Sequence, residues 1–243
     1  MRIGVIVEAG RESDAGDVER HGLFGALVGG VAGAECTAGA FAAATTRYAR
    51  IVVRLRIGTE HPVTLAEEVS VLDNITNGRV VVVADVSGLD ELAAAEDVGL
   101  LRRALASTPL RHRGPRWTVP AGLPEHSAPD AIMVTPPPAQ VEVPVWALGD
   151  SARACGVPIV RRSLSDAAAV GLTQPGILDL SGDRVADRTS VRNWADAGVT
   201  HLFVRGAALE DISRYLQPEV GMVQFPRLVA DAAQPMQWKR PEG

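Results

Sequence analysis

The chain has 243 residues, 47% of them hydrophobic, which is long enough to bury a sizeable core in a single domain. Its net charge is −5 and its 24 Lys and Arg residues are spread along the sequence, which argues against a nucleic-acid partner. Two cysteines are too few for a metal site or a disulfide framework by themselves, and no apolar run is long enough to span a membrane. We therefore expect one cytoplasmic domain over residues 1–243, with no metal and no membrane contact.

Short runs of β-branched and other apolar residues recur along the chain and are typical of buried strands. They lie at 2–9, 23–29, 49–57, 79–86, 144–149, 157–162, 176–181 and 200–206. Helical patterns separate several of them, at 37–48, 62–75, 89–106, 151–155 and 190–197. This alternation predicts an α/β protein with a (β/α)8 TIM-type barrel, in which helices between strands five and eight are shortened or missing.

The segment HPVTLAEEVSVLDNITNGRVVVV, residues 61–83, contains the clearest helix–strand unit. Pro62 suits the first turn of a helix, and apolar residues then recur at helical spacing. Asn77 and Gly78 tolerate the left-handed conformation that ends many helices. The following run of valines is apolar on both faces, which predicts a strand covered on both sides.

This segment resembles the HPxxxAExxxxLDxxSxGR motif that follows the third barrel strand of bacterial luciferase-like flavin oxidoreductases. The resemblance continues through AAATTRYARIVV upstream and through GPRWTVPAGL, TPPPAQVEVPVWALG and NWADAGVTHLFVRG downstream. It implies a barrel that binds FMN or F420 across the carboxyl ends of its strands, with a small organic substrate near the ring. It also implies oxygen chemistry or hydride transfer, and a homo- or heterodimer.

Ends of the third and fourth predicted strands supply the first candidate cofactor contacts. The luciferase-like family kinks its backbone beneath the flavin, and carrying the motif over places that kink near Val53 and Arg54. Asp85 and Ser87 follow the fourth strand, where relatives often carry a glycine-rich turn or a basic side chain. Asp85 would repel a phosphate, so it is expected either to bond a polyol hydroxyl or to cap the helix that starts near Leu89.

Later strand ends supply further candidates. Gly149 ends the fifth strand and Ser151 is a candidate cap of a short helix whose free N–H groups bind an anion, although Gly-Asp-Ser is also ordinary turn chemistry. Arg205 ends the eighth strand and is either a ligand contact or a salt-bridged surface residue.

Luciferase-like catalytic subunits present a histidine in the loop after strand two, and the matching residues 26–39 contain none. Glu35 is the carboxylate available there as a catalytic acid or base. His61, beside a proline at a helix start, is expected to cap or pack. Two functions follow: a flavin-dependent oxidoreductase or monooxygenase, or a non-catalytic barrel that serves as a partner subunit or ligand-binding scaffold.

Two features predict association with another subunit. The region between strands five and eight is short, so the barrel would expose apolar surface that a second subunit covers. The tail 225–243 carries large apolar residues that are typical of a docking strip: Phe225, Leu228, Met236 and Trp238.

Overall fold

The computed structural model describes residues 1–29, 31–121, 130–166 and 173–218, so the tail 225–243 lies outside the described residues. The strands are β1 (Arg2–Ile6), β2 (Gly25–Gly29), β3 (Arg50–Arg56), β4 (Val80–Asp85), β5 (His112–Arg113), β6 (Thr118–Val119), β7 (Val145–Leu148), β8 (Pro175–Asp179) and β9 (His201–Arg205). The α-helices are α1 (Ala15–Arg20), α2 (Glu35–Ala44), α3 (Pro62–Ile75), α4 (Glu91–Leu105), α5 (Arg184–Asp196) and α6 (Leu209–Asp211). Short 3-10 helices span Glu12–Asp14 and Asp150–Cys155, and a π-helical turn spans Ile212–Leu216.

Seven parallel strands form one curled sheet in the order β7-β4-β3-β2-β1-β9-β8. The segment 159–161 makes parallel bridges to both edge strands, from Ile159 to Ala147 of β7 and from Arg161 to Gly176 of β8. Backbone hydrogen bonds of 2.7–3.0 Å accompany these bridges. The two edges of the sheet are thus joined through this segment.

The sheet separates two apolar clusters. The larger cluster lies between the sheet and the surrounding helices. The smaller one gathers inward-facing side chains from all parts of the sheet: Phe24, Leu27, Val52, Val81, Val83, Trp146, Leu148, Val160 and Phe203, with Ile6 and Ile177 packed against them. Alternate residues of each strand therefore face the inside of the curled sheet. The α/β prediction is confirmed, and the fold is consistent with a shortened TIM-type barrel.

Differences from the predicted elements have local causes. Residues 157–162, predicted as the sixth strand, form only isolated bridges, because Pro158 has no N–H to donate. From Leu148 to Pro175 the described residues contain the 3-10 helix Asp150–Cys155 and no α-helix, as expected for shortened helices, whereas α5 in the same region has a full 13 residues. Helix α1 and the β5–β6 hairpin were not predicted, since such short elements give too few turns for a period to show.

The segment 61–83 has the predicted structural role at both ends of its helix. His61 is the N-cap of α3, its Nδ1 atom accepts the Val63 N–H at 3.1 Å, and its ring packs edge-on against Trp117 at 4.4 Å between centroids. Asn77 and Gly78 have φ values of 53° and 76°, the left-handed region expected after the helix. The predicted cap-or-packing role of His61 is confirmed on both counts.

Polar side chains of the same segment tie α3 to β4. Asp73 is fully buried, and its carboxylate accepts hydrogen bonds from the Val80 N–H, the Gln140 N–H and the Gln140 amide at 2.8–3.3 Å. The Arg79 guanidinium donates to Thr46 and to backbone carbonyls around it at 2.6–3.2 Å. These bonds are internal to the scaffold.

No helix among the described residues has the length and apolar character needed to cross a bilayer.

Candidate functional site at the strand ends

An ion pair joins the carboxyl ends of β3 and β4. Arg54 and Asp85 each lie two positions after Val52 and Val83, whose side chains belong to the inner cluster, so both charged side chains point into the mouth of the curled sheet. The Arg54 Nε and Nη2 atoms lie 2.9 and 2.5 Å from Oδ2 of Asp85. The mouth therefore contains a charged pair directly above apolar residues.

Asp85 is held in its ionised form by its neighbours. Burial by itself raises the pKa of this carboxyl, but hydrogen bonds from Ser87 and Arg54 outweigh burial and bring the pKa below its usual value. Its Oδ1 atom accepts the Ser87 N–H at 3.1 Å. The expectation that Asp85 caps the following helix is wrong, because Asp90 caps α4 by accepting the Ala93 N–H at 2.8 Å.

The Arg54–Asp85 pair borders a pocket of about 220 Å³. Its lining residues are Ala32, Glu35, Arg54, Arg56, Asp85 and Ser87. Glu35 lies in the first turn of α2, is only 6% exposed, and accepts the Arg56 N–H at 3.2 Å through Oε1. The fold thus brings the candidate acid–base residue and three candidate cofactor contacts, from three different elements, around one cavity.

Gly149 adjoins this pocket, whereas Ser151 does not line it. A Cβ atom at Gly149, where φ is 119°, would lie 2.9 Å from the Ser87 nitrogen, so a glycine is needed for this close approach. The Ser151 hydroxyl is buried and donates to the Leu89 carbonyl at 2.6 Å. The prediction of Ser151 as a helix cap is wrong, because Gly149 is the N-cap and no side chain caps the helix.

Val53 also lies away from the pocket. Its side chain is fully buried on the helix side of the sheet, beside Gly39 of α2. The expected kink is not found, because β3 pairs in continuous register with β2 and β4 through Val53 and Arg54. The cis peptide bonds among the described residues precede Pro120 and Pro136.

Arg205 lies on another part of the mouth, at the end of β9. It forms a two-point ion pair with Asp179 of β8, with Nε–Oδ1 and Nη2–Oδ2 distances of 2.5 and 3.1 Å. The pair is largely exposed, and Arg205 lines a separate cavity of about 400 Å³ together with Glu8 and Arg11. The structure therefore does not place Arg205 with Arg54 and Asp85 around one cavity.

Histidines are absent from the lining of the 220 Å³ pocket within the described ranges. His112 bonds Glu96 at 2.9 Å in a network that holds the β5–β6 hairpin to α4. His201 begins β9 at the opposite end of the strands, packed against the rings of Phe24 and Trp146. Burial, followed by nearby positive charges, lowers the pKa of His201 to about 4, so its ring is neutral at physiological pH.

Two lining residues, Ala32 and Arg56, were not predicted from the sequence, and Arg56 is the charged one. It stands two positions after Arg54 on β3, and residues at this spacing share one face of a strand. This spacing is the sequence feature that indicates Arg56 as a lining residue once Arg54 is known to line the pocket.

Among the described residues, no group of three or more His, Cys, Asp or Glu side chains is arranged to bind a metal ion.

Comparison with known proteins relates this chain to solved structures by fold. It superposes on a monooxygenase from Streptomyces bottropensis with a TM-score of 0.60 and 14% identity, covering 89% of this chain and 97% of that one. For the coenzyme F420-dependent tetrahydromethanopterin reductase from Methanopyrus kandleri the values are 0.62 and 10%, covering 90% and 99%. The oxygenating constituent of 3,6-diketocamphane monooxygenase from Pseudomonas putida, solved with FMN, gives 0.50 and 15%, covering 84% of this chain and 66% of that one.

At these identities the likeness establishes the fold. No family model matches the sequence, and a sequence search of curated proteins gave no match. Two of these structures are named monooxygenases, one of them solved with FMN, and the third is named a coenzyme F420-dependent reductase. At the level of fold this agrees with the resemblance seen in residues 61–83.

Proposed function

We propose that this chain is an oxidoreductase that binds FMN or F420 at the carboxyl ends of β2, β3 and β4 and acts on a small organic substrate. The observation that carries the proposal is the convergence of Glu35, Arg54, Asp85 and Ser87 on one pocket at the strand ends. In parallel β/α folds this edge is where ligands bind. The fold neighbours that are named for FMN and F420 support the choice of cofactor.

The residues present fit one end of such a cofactor. A pocket of about 220 Å³ is smaller than the roughly 300–1,000 Å³ of cavities that enclose a whole drug-sized ligand, so most of a flavin would lie across the mouth. Bound flavin would supply the hydride-transfer or oxygen chemistry. Arg54, fixed by Asp85, keeps its Nη1 donor for the ligand, and Ser87 presents a hydroxyl at the rim.

Glu35 is the proposed proton-handling group of this site. Its carboxylate is largely shielded from water at the pocket wall and accepts a single described hydrogen bond, from the Arg56 N–H. The remaining acceptor positions are free for a substrate proton. We expect Glu35→Gln to leave the FMN dissociation constant within about threefold while slowing turnover, because the amide keeps the shape but does not take up a proton.

Titration of the purified full chain with FMN and with F420, followed by fluorescence, tests the proposal. Binding of either cofactor below millimolar concentration is expected. Ala32→Trp, which fills the pocket, should abolish binding, while Ala106→Trp, at the exposed C-terminal end of α4, should not. Absence of binding to both cofactors in the wild-type chain would contradict the proposed activity.

A non-catalytic barrel is the second candidate, and the lack of a histidine at the described pocket favours it. Such a protein would act as a partner subunit. Exposed apolar side chains on the adjacent helices α2 and α3, namely Phe41, Val71 and Ile75, supply a surface for a second copy. A stable dimer that binds neither cofactor would select this candidate over the enzyme.

A further inference from the structure

Arg56 is a cation at the pocket without a partner of its own. It lies directly opposite Asp85 in the register of β3 and β4. The Asp85 carboxylate nevertheless accepts hydrogen bonds from other groups, from the Arg54 guanidinium at Oδ2 and from the Ser87 N–H at Oδ1. The Arg56 guanidinium makes no hydrogen bond or ion pair with any described residue.

Glu35, the other carboxylate of the pocket, does not neutralise this guanidinium by direct contact. It binds the backbone N–H of Arg56 at 3.2 Å, which fixes the strand end and leaves the side chain available. Arg54 and Arg56 then stand side by side on the inner face of β3, and Asp85 offsets the charge of Arg54 but does not bind the Arg56 guanidinium. A bound anion would offset the charge of Arg56 and accept hydrogen bonds from its N–H donors.

We propose that Arg56 binds an oxyanion, a carboxylate or phosphate group at one end of a small ligand, within the pocket formed with Glu35, Arg54 and Ser87. The planar guanidinium presents paired N–H donors that match such a group. The pocket, about 220 Å³, suits the anionic end of a ligand better than an entire flavin. The proposal rests on the proposed function only in placing the ligand at this mouth.

Binding of simple anions to the cofactor-free full chain tests Arg56 directly. Benzoate, its neutral counterpart benzamide and inorganic phosphate are titrated by calorimetry into wild type, Arg56→Gln, Arg56→Lys and the control Arg20→Gln. Arg20 lies on α1 outside the pocket and pairs with Asp17. We expect Arg56→Gln to weaken binding of benzoate or phosphate about tenfold or more, Arg56→Lys to be intermediate, and Arg20→Gln to match wild type.

A second comparison separates the two sources of the oxyanion. Loss of FMN affinity in Arg56→Gln with unchanged riboflavin affinity would assign the site to the cofactor phosphate. Loss of benzoate binding with unchanged FMN affinity would assign it to a substrate carboxylate. Equal anion affinities in wild type and Arg56→Gln, or no anion binding by wild type, would overturn the proposal.

Failure of the proposed cofactor site would be seen separately, because the benzoate and phosphate titrations contain no flavin. The exposed Arg56 side chain has no internal bond to lose, so the thermal unfolding of Arg56→Gln should match that of wild type. An unfolded variant is therefore not expected to explain a loss of binding. Arg56→Lys, which retains the charge, gives a second readout in a folded chain.

Discussion

Arg54 and Asp85 form an ion pair between neighbouring strands, with 2.5 Å between Nη2 and Oδ2, at the rim of the pocket that also contains Glu35 and Ser87. The sequence separates the two by 31 positions. Parallel pairing of β3 and β4 brings them together, and the pair changes the chemistry expected of each residue. Because Arg54 compensates the negative charge of Asp85, this carboxylate repels a bound anion less strongly. The same ion pair fixes the orientation of the Arg54 side chain.

Replacing Asp85 should destabilise the protein in a pH-dependent way. Because the pKa of Asp85 is lowered in the folded chain, its contribution is present above the unfolded value of about 3.9 and is lost as pH falls through the folded pKa. We expect Asp85→Asn to cost about 1 kcal/mol at neutral pH and less in acid, by urea unfolding. Asp179→Asn, which breaks the more exposed pair with Arg205, is the matched control and should cost less. Equal costs for both variants at all pH values would contradict this prediction.

His201 should make the protein sensitive to moderate acid. Its folded pKa of about 4 lies below the unfolded value of about 6.5, so the unfolded chain takes up a proton first and stability falls as pH drops between these values. In His201→Phe, which retains a ring beside Phe24 and Trp146, this acid loss should be smaller by about 3 kcal/mol. Denaturant unfolding at a series of pH values measures the difference. An unchanged slope in His201→Phe would refute the assignment.

Asp73 tests the structural role of the motif in residues 61–83. Asp73→Ala leaves the Val80 N–H and two Gln140 donors without their buried acceptor. We expect a loss of about 3 kcal/mol in the free energy of unfolding, by urea denaturation. Asp90→Ala, which removes only the cap of α4, should cost about 1 kcal/mol. A smaller loss for Asp73→Ala than for Asp90→Ala would show that the motif does not stabilise the scaffold.

Gly149→Ala should disturb both the backbone and the pocket. At φ 119° and ψ 173° the position favours glycine strongly, and an added Cβ would press on the Ser87 nitrogen at 2.9 Å. The expected cost is about 2–3 kcal/mol in thermal or urea unfolding, with weaker cofactor binding. Gly10→Ala is the control, since Gly10 has φ 82° but no atom within 4 Å of the added Cβ, and strain alone should cost about 1 kcal/mol.

Phe41 tests association of two copies through α2 and α3. Its ring is 64% exposed, and Phe41→Glu should convert a dimer into a monomer in size-exclusion chromatography with light scattering. Leu92→Glu places the same charge at an 82% exposed position of α4 and should leave the dimer intact. A monomeric wild-type chain would remove the basis for this interface.

Local sequence patterns were sufficient to predict the scaffold. Seven strands, the helix Pro62–Ile75, its His61 cap and its left-handed end at Asn77 and Gly78 were all predicted correctly in kind and place. These features are local, because periodicity, proline and glycine act over a few residues of chain. The short helix α1 and the β5–β6 hairpin escaped prediction because they offer no such period.

The roles of the candidate residues depend on contacts between distant parts of the chain. Asp85 forms an ion pair with Arg54 instead of capping a helix. The Ser151 hydroxyl donates a hydrogen bond to the Leu89 carbonyl, and Arg205 forms an ion pair with Asp179 at another part of the mouth. Each partner lies far away along the chain, so the tertiary fold brings the two together and a local sequence pattern does not predict the contact. For the same reason the Arg56 guanidinium has no partner among the described residues, because Arg54 and the Ser87 N–H already bind the Asp85 carboxylate opposite it.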